Sequence, residues 1–136
     1  ISNLDGATAR VVPDVAMLGD PVTGFLWGDS STGTYEEVPI GGTSLATPLF
    51  TATIALAQQK AGKRFGSINA LLYKASKSGA FRDVMPVPDQ AAAMYPGSIT
   101  TFDYHGPENS LATAKGFDNV TGLGVPNGSK FFDAVK

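Results

Sequence analysis

The chain has 136 residues, 43% of them hydrophobic and 16% charged, and a formal net charge of −2. Those values suit one globular domain with a single core and exclude a disordered chain. Ten Lys and Arg, scattered along the sequence, leave no basic footprint for nucleic acid, and the lack of cysteine removes disulfide and thiolate chemistry.

Patterning narrows the reading further. The apolar run from Leu49 to Ala57 is too short to span a bilayer and is broken by Thr51 and Thr53, so no membrane partner is expected. The start, Ile1-Ser2-Asn3, carries no secretory-signal pattern and reads as a processed or excised terminus. A low charged fraction suits a protein working in acid, where protonated carboxylates leave positive charges unbalanced. It equally fits any modestly polar domain.

In chain order, Ile1 to Thr8 reads as loop. Ala9 to Ala16 is a short apolar run broken by Pro13, hence a loop or a strand edge. Asp20-Pro21-Val22-Thr23-Gly24 is turn chemistry. Phe25-Leu26-Trp27 predicts a strand, Gly28 to Gly33 a second turn, and Thr34 to Ile40 a returning strand, together a hairpin with a long loop.

Gly41-Gly42-Thr43-Ser44-Leu45-Ala46-Thr47-Pro48 then turns tightly into a helix running from Ser44 to about Ala61 and stopped by Gly62. Pro48 is expected in its first turn, where a missing N–H does little harm. Leu45, Ala46, Leu49, Phe50, Ala52, Ile54, Ala55, Leu56 and Ala57 make this helix apolar on most sides, which predicts a buried central helix. A second helix is expected from Ser67 or Ile68 to about Lys77, with Ile68, Leu71, Leu72 and Ala75 at helical spacing. Met85 to Pro107 holds Pro86, Pro88, Pro96 and Pro107 and reads as a long irregular stretch. A Gly-rich stretch follows from Gly116 to Gly124, and Ser129 to Val135 predicts a closing helix that buries Phe131, Phe132 and Val135.

Ser44 has three readings. It can cap the helix, lie in a polar loop, or act as a nucleophile at the positive end of the helix dipole. A nucleophilic serine needs a base, usually His. The single His, His105, sits in the irregular stretch and reads as a loop residue. A carboxylate base is the alternative, in an enzyme working in acid. No Glu-x-x-x-Asp pair stands on a helix, so this chain shows no evident base; Glu36 and Glu37 read as solvated strand charges. Asp83 and Asp118 lie in or beside turns. Hard cations take such carboxylates together with backbone carbonyls, although the spacing alone favours a structural turn with Asx hydrogen bonds.

Four ordered stretches carry a resemblance. Gly42-Thr43-Ser44-x-Ala46-Thr47-Pro48 resembles the nucleophile motif of subtilisin-fold serine peptidases. Val12-Pro13-Asp14-Val15-Ala16, Asp20-Pro21-Val22-Thr23-Gly24-Phe25 and Gly116-Phe117-Asp118-Asn119-Val120-Thr121-Gly122-Leu123-Gly124-Val125-Pro126-Asn127-Gly128 are similar to the sedolisin (serine-carboxyl peptidase) branch. Phe117 stands where that family has Trp, and Leu49 where subtilisins have His.

The resemblance implies an α/β fold, with residues 1–136 the C-terminal portion of a subtilisin-like catalytic domain. It implies a serine-type peptidase, endopeptidase or tripeptidyl-peptidase, with Ser44 as the acylated nucleophile. It implies one structural calcium ion held by Asp83, the Val84, Ala114 and Gly116 carbonyls, and Asp118. The family's catalytic Glu and Asp and its oxyanion Asp match no stretch here. The expected partners are therefore an upstream N-terminal part of the same domain and a peptide or protein substrate. A secreted zymogen or a lysosome-like compartment is implied for the whole enzyme. Two rival readings stand beside it: a subtilisin-type peptidase with an upstream His base, and a catalytically inactive, calcium-stabilised binding module.

Overall fold

The computed structural model describes residues 11–21, 24–84, 91–95, 98–102 and 113–136, with the backbone alone at 91–95 and 98–102. The readings placed on Ile1 to Thr8 and on His105 lie outside the described residues. The elements are helices and short antiparallel strands. Strands β1 (Phe25–Asp29) and β2 (Glu36–Ile40) pair antiparallel, with Phe25 opposite Ile40, Trp27 opposite Val38 and Asp29 opposite Glu36. The turn is held at its entry by Asp29, whose carboxylate accepts from the Ser31 N–H at 2.8 Å and the Ser31 hydroxyl at 2.9 Å. Pro39 is tolerated in β2 because a two-stranded ladder leaves each strand a free edge.

Helix α1 (Thr43–Ala61) follows within two residues. Gly62 ends it in the left-handed region at φ 64°, and the N–H groups of Gly62 and Lys63 close onto the Gln59 and Gln58 carbonyls. Pro48 is the sixth helical residue, not a first-turn residue as expected. Its missing N–H therefore leaves the Ser44 carbonyl without its i+4 donor. Thr51 and Thr53 return their hydroxyls to the Thr47 and Leu49 carbonyls, which lets polar side chains ride on an apolar helix.

Helix α2 (Asn69–Ser76) is about a turn shorter than its hydrophobic pattern suggests. Strand β3 (Phe81–Arg82) leads toward a region where the expectation of irregular chain is corrected. Strands β4 (Ala91–Tyr95) and β5 (Ser98–Phe102) pair there antiparallel, Ala91 opposite Phe102. None of the four prolines lies within 91–95 or 98–102, so every residue of the β4–β5 ladder carries a backbone N–H. Strand β6 (Val125–Pro126) pairs with β3, and helix α3 (Gly128–Ala134) closes the chain.

The core gathers Ala57 from α1, Leu72 and Ala75 from α2, Ala80, and Phe131 and Val135 from α3 and its end. Phe131 is the hub, fully buried and edge-on to Phe50, Phe81 and Phe132 at 6.2, 5.5 and 5.8 Å. Phe132 is only partly buried, so one of the three residues assigned to the α3 core stays at its margin.

Helix α1 departs from its expected burial. Only Ala57 is buried, while Ala52 and Ala55 are exposed and Leu56 is 56% exposed. Phe50 and Ile54 pack against the core, so one face is used. A helix apolar on most sides needs cover on several sides, and the described residues supply cover on one. Phe25, Leu26, Trp27 and Val38 of the β1–β2 hairpin are likewise exposed. Phe131→Ala empties the point where three elements meet. It is expected to lower unfolding free energy by about 3–5 kcal/mol in denaturant titration, and a loss below about 1 kcal/mol would remove Phe131 from the hub position.

Candidate active site

The turn before α1 is shaped by glycine. Gly42 sits at φ 84°, in the left-handed region, and a Cβ on Gly41 would collide with the backbone of Gly19, Asp20 and Pro21. That close approach is locked by the Gly42 N–H, which donates to the Gly19 carbonyl at 2.6 Å. The Gly42 carbonyl then accepts from the Leu45 and Ala46 N–H groups and starts the helix. The capping position therefore belongs to Gly42, and Ser44 is the second helical residue. Its side chain is exposed. At that position the Thr43 and Ser44 N–H groups lie ahead of the first intrahelical bonds, at the positive end of the dipole.

Ser44 opens on a cleft of about 440 Å³ between the hairpin and the first turns of α1. Phe25, Trp27 and Ile40 line one side, and Gly41, Leu45, Pro48 and Leu49 line the other with Ser44. None of these residues titrates, so the cleft itself supplies no base. Glu36 and Glu37 are exposed, and Glu37 accepts from the Tyr35 hydroxyl at 2.7 Å, as solvated strand charges do. The aromatic walls were missed in the sequence. The Phe25-x-Trp27 alternation, on a strand just before the nucleophile-like turn, was the available signal.

The predicted cation ligands are gathered from two distant stretches. The Gly116 N–H donates to Asp83 Oδ2 at 2.7 Å, across 33 residues. The Ala114 N–H donates to Asp118 Oδ2 at 3.0 Å. Asp118 Oδ1 accepts from the Val120 and Thr121 N–H groups at 2.9 and 2.7 Å, and the Thr121 hydroxyl also reaches the carboxylate. That is the Asx-turn reading of this stretch. Val84 follows Asp83 directly and is partly buried. Asp83 Oδ1 is buried with no hydrogen-bond partner among the described residues. No cluster of three or more His, Cys, Asp or Glu occurs among the described residues, so any cation here would lean on carbonyls.

Asp118 is itself buried. Burial pushes its carboxyl up, but the Ala114, Thr121 and Val120 N–H groups and the Thr121 hydroxyl outweigh it, and the net shift is downward. The folded pKa is thus depressed. Its contribution to stability is present above the ordinary value of 3.8 and is lost as pH falls through the lowered one. The carboxylate accordingly stays ionised in moderate acid.

The two regions share a support. The Leu123 N–H donates to the Asp14 carbonyl at 2.9 Å and the Ala16 N–H to the Gly124 carbonyl at 3.0 Å. The same segment continues to Gly19, which receives the Gly42 N–H. Tyr73 of α2 donates to Asp14 Oδ1 at 3.0 Å, and its ring lies 6.1 Å from that of Phe117.

Ser44 is thus an exposed serine at the head of a helix, behind a locked diglycine turn. Comparison with known proteins finds relatives among peptidases. Over 134 residues the chain is 33% identical to Kumamolisin from Bacillus sp. (strain MN-32), covering 98% of this chain and 21% of that protein. Over 136 residues it is 27% identical to Tripeptidyl-peptidase 1 from Dictyostelium discoideum, covering 93% of this chain and 19% of that protein. Both are sedolisin-family peptidases, and the chain matches a C-terminal part of that family. It spans about a fifth of the length of these relatives. No family model matches the chain.

The Asp118 carboxylate is expected to hold its loop together. Asp118→Ala leaves three N–H groups without their acceptor, and a loss of about 1–3 kcal/mol in unfolding free energy is expected. Amide exchange at Val120 and Thr121 is expected to accelerate selectively. Unchanged exchange at both amides would show that the carboxylate does not order the loop.

Proposed function

We propose that this chain is the nucleophile-bearing C-terminal part of a serine-type peptidase working in acid. The observation that carries the proposal is Ser44: exposed, not a cap, at the head of α1 and opening on a substrate-sized cleft. The sequence kinship with sedolisin-family peptidases supports it.

In this reading the Ser44 hydroxyl attacks the scissile carbonyl and its proton passes to a carboxylate base. The resulting acyl group on Ser44 is then released by water. The Ser44 N–H, at the helix N-terminus, faces the region where the tetrahedral oxygen carries its charge. The base, a Glu oriented by an Asp, and a protonated Asp that assists the oxyanion come from an upstream part of the same domain. That part is the partner of this chain. The uncovered flank of α1 and Leu26, on the hairpin face opposite the one that lines the cleft, are surface for it to cover, and the cleft beside Ser44 is left open to substrate. The whole enzyme is secreted or acts in a lysosome-like compartment, where a low charged fraction and carboxylates ionised in acid are both of use.

A calcium ion fits the second region. Asp83 Oδ1, buried and without a hydrogen-bond partner among the described residues, is an oxygen suited to a positive partner, and the Val84, Ala114 and Gly116 carbonyls and Asp118 complete the candidate ligand set. When bound, the ion neutralises the two carboxylates and ties the Asp83 stretch to the Gly116–Gly124 stretch. It takes no part in the reaction.

Two measurements on the full-length protein test this reading. Ser44→Ala is expected to lower peptide hydrolysis at acidic pH by on the order of 10³-fold or more. Comparable activity in that variant would sink the nucleophile assignment. A wild-type optimum at neutral or alkaline pH would point to a His base, and an inert wild type to a binding module. Calcium is expected to raise the melting temperature in a concentration-dependent way, and a chelator to reverse it. Asp83→Ala is expected to abolish that dependence; an identical calcium response in the variant would exclude Asp83 as a ligand.

A further inference from the structure

The junction between β6 and α3 carries a dipeptide that the proposed chemistry does not use. Asn127 is followed by Gly128, and no other Asn of the chain precedes a glycine. Asn127 stands just outside α3, at φ −93° and ψ 63°. Its N–H donates to the Ala80 carbonyl at 2.8 Å, and its carbonyl accepts from the Lys130 N–H at 3.1 Å. Its side-chain Nδ2 donates to the Gly79 carbonyl at 3.2 Å. One residue thus pins the entry of α3 to the stretch between α2 and β3. The Gly128 N–H is placed differently. It precedes the first bonds of α3 and has no acceptor among the described residues. Gly128 is exposed, borders an open cleft and lies at φ 50°, and a Cβ there would meet nothing within 4 Å.

We propose that Asn127–Gly128 is a self-modification site, at which the Asn127 side chain deamidates in the folded protein and loosens the seat of α3. The Gly128 nitrogen gives its proton to a base in solution and attacks Asn127 Cγ. The Cγ–Nδ2 bond breaks, and ammonia leaves with a proton taken from solvent. The product is a cyclic imide. Water then opens the imide at one of its two carbonyls, giving Asp or its isoaspartyl isomer, with no change of oxidation state. Glycine leaves the attacking nitrogen unshielded by any side chain. In mid-helix that nitrogen would be committed to a helical bond, whereas here it is free. Either product loses the Nδ2 donor and sets a carboxylate or a displaced main chain against the Gly79 carbonyl. The isoaspartyl form also lengthens the main chain between the Ala80 and Lys130 bonds, so Phe131 loses its fixed seat in the core. The first step consumes base, so the site is quiet in acid and ages the protein as pH rises. None of this depends on the role of Ser44.

The test ages the full-length protein in heavy-oxygen water, well below its melting temperature, in mild acid and in mild alkali. Peptide mapping then reads the conversion of Asn127 to labelled Asp and isoaspartate. Wild type is expected to convert at Asn127 faster than at Asn69 or Asn119, and faster in alkali than in acid. Gly128→Ala is expected to slow the conversion, and Asn127→Gln to remove it from the mapped peptide. The melting temperature of wild type is expected to fall as conversion proceeds, and fresh Asn127→Asp to show a lowered value from the start. Asn127→Ser keeps a short polar side chain at the junction and is expected to hold its melting temperature through the same ageing. A urea-unfolded sample serves as the chemical control. Conversion in urea but not in the folded protein would show that the fold blocks the attack, and would overturn the proposal. Equal rates in acid and alkali would exclude the Gly128 nitrogen as the attacking group. Full conversion with an unchanged melting temperature would overturn the claim that the site loosens α3.

Discussion

Three backbone hydrogen bonds hold the segment from Asp14 to Gly19, and both candidate regions lean on it. Leu123 and Gly124 grip its start through the Asp14 carbonyl and the Ala16 N–H, and its end receives the Gly42 N–H. The diglycine turn can approach so closely only because Gly41 has no side chain. The placement of Ser44 is therefore inherited from a loop rather than from a sheet. The loop at Asp118 is tied to the same support. A perturbation of either loop has a short covalent and hydrogen-bonded route to the other.

The helix behind Ser44 divides its work along its length. Toward its C-terminal end, Ala57 enters the core and Phe50 and Ile54 lean on it, next to Phe131. That half anchors the helix. Toward its N-terminal end, Leu45, Pro48 and Leu49 face a cleft instead of a core. Ser44, at the head of this helix, thus stands on an anchored rod beside an open cleft. The apolar surface that remains uncovered on α1 and on the β1–β2 hairpin is more than a small soluble domain needs, and it agrees with a chain spanning about a fifth of its relatives' length.

Much of the local structure was legible from residue order. The Phe25–Ile40 hairpin, α1 with its Gly62 stop, and the α3 helix with Phe131 and Val135 buried all follow from turn residues, propensity and spacing. The Asx turn at Asp118 was legible for the same reason: its bonds reach only two and three residues ahead. The paired strands β4 and β5 were not, because frequent prolines mask two short runs that each avoid them. The burial of α1 was overestimated, since composition reports how much apolar surface a helix carries and not how much neighbouring chain is at hand to cover it. Pro48 was placed too early by counting from Ser44, whereas the helix begins at Thr43.

By itself, then, the sequence determined the local elements and the kinship with sedolisin-family peptidases and singled out Ser44 as a candidate, because each rests on neighbours within a few residues or on an ordered set of short motifs. The tertiary structure alone decided what those residues meet. It joined Asp83 to Gly116 across 33 residues, braced Asp14 between Tyr73 and Leu123, and set Trp27 across a cleft from Leu45. Contacts of that kind depend on how the chain closes its loops. No local spacing encodes that closure, and so only the folded molecule could turn a serine at the head of a helix into one wall of a defined cleft.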